Sequence, residues 1–198
     1  MTIISTPDES AVTGLAAELY AHDLATLGYV PSHTRVTALN PEAVRAFEAL
    51  IKTLVPGLGM RRYELVTLAA AGALGSTACR AHHGLKSLKY LEADEIERVA
   101  RDFRDAGLPA AEVAMMEFAE KLSLDSATMT ERDAAVLREH GFTDREIVDI
   151  AFAAGARNFY SRSLHALGVE PDIPPSLPAE LVDALLGGMR QPETGPVQ

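Results

Sequence analysis

The only cysteine of the chain stands in Ser76-Thr77-Ala78-Cys79-Arg80-Ala81-His82-His83, and Glu64 lies twelve residues before Ser76. On a helix, positions 76, 79 and 83 project from one face. A hydroxyl, a thiol and an imidazole thus occupy one small patch. Their chemistry is that of an activated thiol, because the thiolate is the nucleophile and its surroundings decide how much of it exists. With Ser76 as N-cap, Cys79 falls in the first helical turn, where the positive end of the helix dipole favours a thiolate. His83, one turn on, is the natural acid/base partner, with an unperturbed pKa near 6.5. The Ser76 hydroxyl is placed to cap the helix or to donate to the sulfur. Glu64 can orient His83 or hold a water, provided its own helix packs beside that of Cys79.

Other readings of the same residues stay open. A free cysteine in an alanine-rich helix is often a small buried apolar group. Glu64 could simply favour a helix dipole. A metal centre built from Cys79, His82 and His83 is disfavoured, because adjacent residues project about 100° apart on a helix; no metal and no cofactor is expected. His22, His33 and His140 have no evident partner in the sequence and read as surface residues.

The elements that must position this patch are helical, and no convincing strand is found. A first helix spans 8–27, with a connector beginning at Pro31. Pro41 opens a second after Asn40, a good N-cap, and that helix stops at Pro56-Gly57. Further helices are expected over 61–74, from Ser76 to about Leu91, over 94–105, over 109–122, and from Thr130 to His140-Gly141. Thr143-Asp144-Arg145-Glu146 forms a capping box for a long helix to Leu167. After Gly168 the chain turns proline-rich, with a short helix over 179–186 and a frayed tail. About eight main helices result. Shifted by 82, the sequence aligns Glu64 with Glu146, Ser76 with Asn158, Cys79 with Ser161, Arg80 with Arg162 and His83 with His165. The alignment implies an internal duplication, with two helical halves about a pseudo-twofold.

Composition limits the partners. The chain has 198 residues, enough for one compact domain, and 47% are hydrophobic. Its net charge of −10 argues against nucleic acid, which needs a basic footprint. No apolar run has the length of a membrane span. The first eight residues lack the basic and apolar regions of a signal peptide, and one cysteine cannot form an intrachain disulfide, so a reducing cytoplasmic location is expected.

The spacing of Glu64, position 76, Cys79 and His83 resembles the Glu…Cys-x-x-Cys-x-x-x-His motif of the AhpD-like alkylhydroperoxidases, in the carboxymuconolactone decarboxylase superfamily. Arg61-Arg62-Tyr63-Glu64-Leu65-Val66 is similar to the usual lead-in. Glu120-Lys121-Leu122 through Thr130, Leu137, Gly141-Phe142-Thr143-Asp144, Glu146-Ile147, Asn158 and Leu167-Gly168-Val169 are similar to the downstream segment of peroxidase-related members. The resemblance implies an all-α fold, expected as one domain over residues 1–170, and the internal duplication sets half-repeats at about 41–107 and 109–168. Residues 171–198 would form a proline-rich extension. It also implies a homotrimer or homohexamer, with a homodimer as the smaller alternative.

In that family the second cysteine attacks a peroxide and the first resolves the sulfenic acid. Cys79 matches the attacking position, His83 the relay histidine and Glu64 the relay acid, with Tyr63, Arg80 and His82 as possible supports. Ser76 occupies the resolving position, and a hydroxyl cannot form a disulfide. Three readings follow. The first is a one-cysteine peroxidase that uses an external thiol as reductant. The second is a lyase or isomerase acting on a small carboxylated or lactone substrate, with His83 or His82 as base and Arg61, Arg62 or Arg80 holding the carboxylate. The third is a catalytically silent helical protein.

Overall fold

The computed structural model describes residues 3–187. Among them every regular element is helical: ten α-helices and two short 3-10 turns. They are α1 (Gly14–Leu27), α2 (Ser32–Thr37), α3 (Pro41–Leu58), α4 (Met60–Ala73), α5 (Thr77–Ser87), α6 (Ala93–Asp102), α7 (Ala110–Asp125), α8 (Glu131–Glu139), α9 (Asp144–Ala166) and α10 (Ala179–Leu186). The all-α expectation holds. The count is ten beside about eight main helices, because a short helix lies in the connector after Pro31 and the short helix expected over 179–186 is present. No helix among the described residues is long and apolar enough to cross a membrane.

Local chemistry explains most boundaries. Asn40 accepts from the Ala43 backbone N–H at the start of α3, with Pro41 at the first helical position. Thr143 and Glu146 close the expected capping box on α9, and Thr130 with Asp133 does the same on α8. Pro56 does not stop α3 as its sequence context suggested. The helix continues to Leu58 and ends at Gly59, whose N–H still reaches the Val55 carbonyl at 2.8 Å. A proline in the last turn forfeits one hydrogen bond, and here the helix ends before a second is at risk.

Helix α4 lies at the centre. It is buried from Tyr63 to Ala71 and packs against α5, α7 and α9. It breaks at Gly75, which adopts φ 64°, a left-handed conformation that suits glycine. The break starts α5 afresh. In the second stretch related by the shift of 82, α9 runs 23 residues without interruption. One stripe of α9 remains exposed, carrying Val148, Phe152 and Phe159.

The segment after residue 170 is not an appendage within the described region. Leu177, Leu181 and Leu185 are buried in the main core, and α10 packs on α5 and α6. The last residues, 188–198, lie outside the described residues, and with them the expected frayed tail. Replacing fully buried Leu181 by alanine is expected to cost about 2–5 kcal/mol, while Leu24→Ala on the exposed face of α1 costs much less. Chemical denaturation of the two variants checks this, and equal stabilities would show α10 to be peripheral.

Candidate functional site

The break between α4 and α5 sets Glu64 on one helix against His83 on the next. His83 Nδ1 and Glu64 Oε2 are 2.6 Å apart, and both residues are buried. The side-by-side packing that the Glu64 reading required is therefore present. Burial pushes the Glu64 carboxyl up to about 7, against the pull of Lys86 and Arg157. Burial also drives His83 well below its ordinary 6.5, reinforced by the charge of Arg157. Near neutrality the Glu64 carboxyl thus takes up and releases a proton while the imidazole stays uncharged.

Cys79 lies one turn earlier on α5 and is 3% exposed. Its sulfur meets two side chains of α9. Arg157 Nη1 donates to Sγ at 3.4 Å and Ser161 Oγ at 3.2 Å. Residues 157 and 161 are one turn apart on the same face of α9, so both donors reach one atom. Burial raises the thiol pKa, but the Arg157 charge and the hydrogen bonds from Ser161, Ser76 and Arg157 outweigh it. The net result lies below the ordinary 9.0. A thiol with a cation and donors at van der Waals distance is a thiolate in waiting.

Ser76 occupies the N-cap position, but its hydroxyl makes no capping bond. It is buried with no hydrogen bond of ordinary geometry, and lies near enough to Sγ to favour the thiolate. Tyr63 comes to the same place from α4. Its ring stands edge-on to His83, with centroids 6.5 Å apart, and its hydroxyl lies within hydrogen-bonding reach of Arg157. His82 turns the other way and packs its ring edge-on against His33 at 4.6 Å. His33 is therefore not a lone surface residue. It sits half-buried beside His82 and Tyr160. His22 and His140 are exposed, as expected.

The arginines suggested as carboxylate holders are occupied. Arg61 is clamped by Glu95 at 2.5 Å and Glu112 at 2.9 Å. Arg62 pairs with Glu146 at 3.7 Å and lies over the Phe142 ring. Arg80 donates to the carbonyls of Ala100 and Ala184, tying α5 to α6 and α10. Arg80 also lines an open groove of about 340 Å³ with Val99, Phe103 and Met116, and that groove includes none of Cys79, Glu64 or His83.

Sequence reasoning missed Arg157 altogether. Ser161 was visible only as the residue that the shift of 82 sets on Cys79, and the two do touch.

Two consequences are measurable. Arg157→Gln removes the cation, so the Cys79 pKa is expected to rise. Alkylation at pH 7 then slows, and the pH dependence of the alkylation rate reports it. Glu64 has a folded pKa near 7 against an unfolded 4.5. Its stabilising share is therefore complete below about 4.5 and is lost as pH rises toward 7. The stability of Glu64→Gln relative to the parent is expected to climb across that window and stay level above it. Urea titrations at several pH values read this directly, and a flat difference would contradict the assigned burial effect.

No protein-family model and no curated protein matches the sequence. Solved structures do. One described as an alkylhydroperoxidase AhpD core, a peroxidase-related protein from Ralstonia eutropha, superposes with a TM-score of 0.77 at 26% identity, covering 92% of this chain and 95% of its own. A peroxidase-related protein from a Silicibacter species gives 0.76 at 28% identity, with 96% of each chain covered. The debrominase Bmp8 in complex with 2,3,4-tribromopyrrole gives 0.71 at 17% identity, with 93% of this chain and 96% of its own covered. At that identity the likeness concerns the fold alone. The all-helical architecture and the end-to-end match to peroxidase-related structures agree, and they support the AhpD-like superfamily as the chain's kin in fold.

Proposed function

We propose that the protein is a thiol-dependent hydroperoxide reductase with a single peroxidatic cysteine. The observation that carries this reading is Cys79 Sγ held between Arg157 and Ser161, one turn from the His83–Glu64 pair. The Cys79 thiolate attacks the terminal oxygen of the hydroperoxide. The O–O bond breaks, the alcohol leaves with a proton relayed through His83 and Glu64, and Cys79 becomes a sulfenic acid. Arg157 stabilises the thiolate beforehand and the departing alkoxide during cleavage.

With Ser76 in the resolving position, a small external thiol attacks the sulfenic sulfur and releases water. A second thiol cleaves the mixed disulfide and restores Cys79. The sum is one hydroperoxide and two thiols giving one alcohol, one water and one disulfide. The near-complete burial of the sulfur favours a small oxidant. The homo-oligomer implied by the family resemblance would cover the exposed stripe of Val148, Phe152 and Phe159.

The fold also carries a debrominase, so the reading rests on the site rather than on the architecture. The carboxylate-directed lyase is the competing activity, and it now has fewer hands, because Arg61, Arg62 and Arg80 are all engaged. Hydroperoxide consumption in the presence of a small thiol separates the two. Cys79→Ser is expected to fall to the uncatalysed rate, and Arg157→Gln to lose roughly tenfold or more. A lyase would keep its activity in Cys79→Ala and lose it in His83→Ala. Equal peroxide consumption by the parent and Cys79→Ser would end the peroxidase reading.

A further inference from the structure

Outside the thiol cluster, three potential ligands converge from distant parts of the chain. His33 comes from α2, His82 from α5 and Asp172 from the segment before α10. One ligating atom of each lies within 4.8 Å of the others. His82 is 7% exposed, and its Nε2 is buried without a hydrogen-bond partner. An unpaired buried nitrogen is uncommon in a native interior and calls for an occupant. We propose that His33, His82 and Asp172 form a binding site for a divalent transition-metal ion of the zinc type.

The donor set decides the class of ion. Two imidazoles and one carboxylate suit zinc and its neighbours, whereas magnesium and calcium take oxygen ligands. Tetrahedral zinc at 2.0–2.2 Å from its ligands holds them roughly 3.4 Å apart, so the three side chains must draw in by about an ångström. The carboxylate is already oriented. Asp172 accepts from the Ser32 backbone N–H through one oxygen and from Ser32 Oγ at 2.9 Å through the other. Each oxygen keeps a second lone pair, and such outer-shell bonds are what fix ligands in metal sites.

Access is open, because His33 and Asp172 are only half-buried. The opposing charges are Arg157, held at the Cys79 sulfur, and Lys86, one turn past His82. Lys86 reaches the surface, and Asp23 offsets part of its charge. A bound ion would tie α2 and the segment around Asp172 to the helix that carries Cys79 and His83.

The test uses the full-length chain without an affinity tag. After EDTA dialysis, titration with Zn²⁺ alone is expected to show a single equivalent bound and a raised melting temperature. His33→Ala and Asp172→Asn are each expected to weaken binding at least about tenfold, while His22→Ala leaves it unchanged. Asp172→Asn also disturbs the contact with Ser32, so the unsubstituted protein supplies a second readout. Its Co²⁺ form is expected to show ligand-field bands with no thiolate-to-cobalt charge-transfer band. Three outcomes would each overturn the site: no saturable binding, binding indifferent to both substitutions, or a thiolate band reporting capture by Cys79. The first two leave the peroxidase reading untouched, and the third leaves it to the Cys79→Ser comparison.

Discussion

A guanidinium sealed inside a helical protein governs this structure. Arg157 is 5% exposed, and its Nε has no hydrogen-bond partner. An unpaired cation in such a place costs several kcal/mol, so its surroundings must supply negative charge or strong acceptors. The groups that face it are the Cys79 sulfur and the Tyr63 hydroxyl, with Glu64 nearby. Of the two groups in contact with it, the thiol ionises more readily than the phenol. The buried arginine and the lowered thiol pKa are therefore one fact seen from two sides. Removing the charge from the sulfur leaves the arginine unpaired, and removing the arginine leaves the sulfur to the penalty of burial.

The helices serve that pairing. An unbroken α4–α5 helix would carry residue 79 past residue 64 on one rod. The glycine turn at Gly75 instead folds α5 back beside α4, which brings Glu64 to His83. It also gives Cys79 a fresh helix start. Helix α9 needs the opposite property. It stays continuous, so that Arg157 and Ser161 stand one turn apart and address a single atom. The two stretches aligned by the shift of 82 thus differ at the point where their tasks differ. Leu164, one turn further along α9, closes the apolar wall with Ala71 and Ala78. That wall keeps water from screening the charge pair.

Local signals in the sequence were sufficient wherever the cause was local. The capping boxes at Thr130 and Thr143, the Asn40–Pro41 start and the i, i+4 relation of Cys79 to His83 could all be read from a few adjacent residues. So could Glu64, because a motif spacing supplied what periodicity could not. Arg157 was illegible, since its partner lies 78 residues away and an arginine in a long helix gives no sign of burial. His33 was misread for the same reason, as its neighbour His82 is remote in sequence. Pro56 misled because a proline was weighed without its distance from the helix end. The proline-rich stretch after Gly168 hid a core element, because Leu177, Leu181 and Leu185 reveal their burial only once α5 and α6 are in place.

Serine at position 76 changes the demands on the rest of the site. A neighbouring cysteine would capture a sulfenic acid at once. In the proposed cycle the oxidised sulfur instead waits for an external thiol, and a second oxidation becomes the hazard. The enclosure of Cys79 acts against that hazard, because few oxidant molecules reach a sulfur that is 3% exposed. Arg157 and Ser161 continue to act after the oxidation. Both are donors, and the oxygen added to the sulfur is an acceptor. The hydroxyl of Ser76, buried and otherwise unengaged, faces the same atom. On the proposed reading, three polar side chains surround the oxygen that the sulfur would carry. The same enclosure limits the reductant to a thiol slender enough to approach the sulfur.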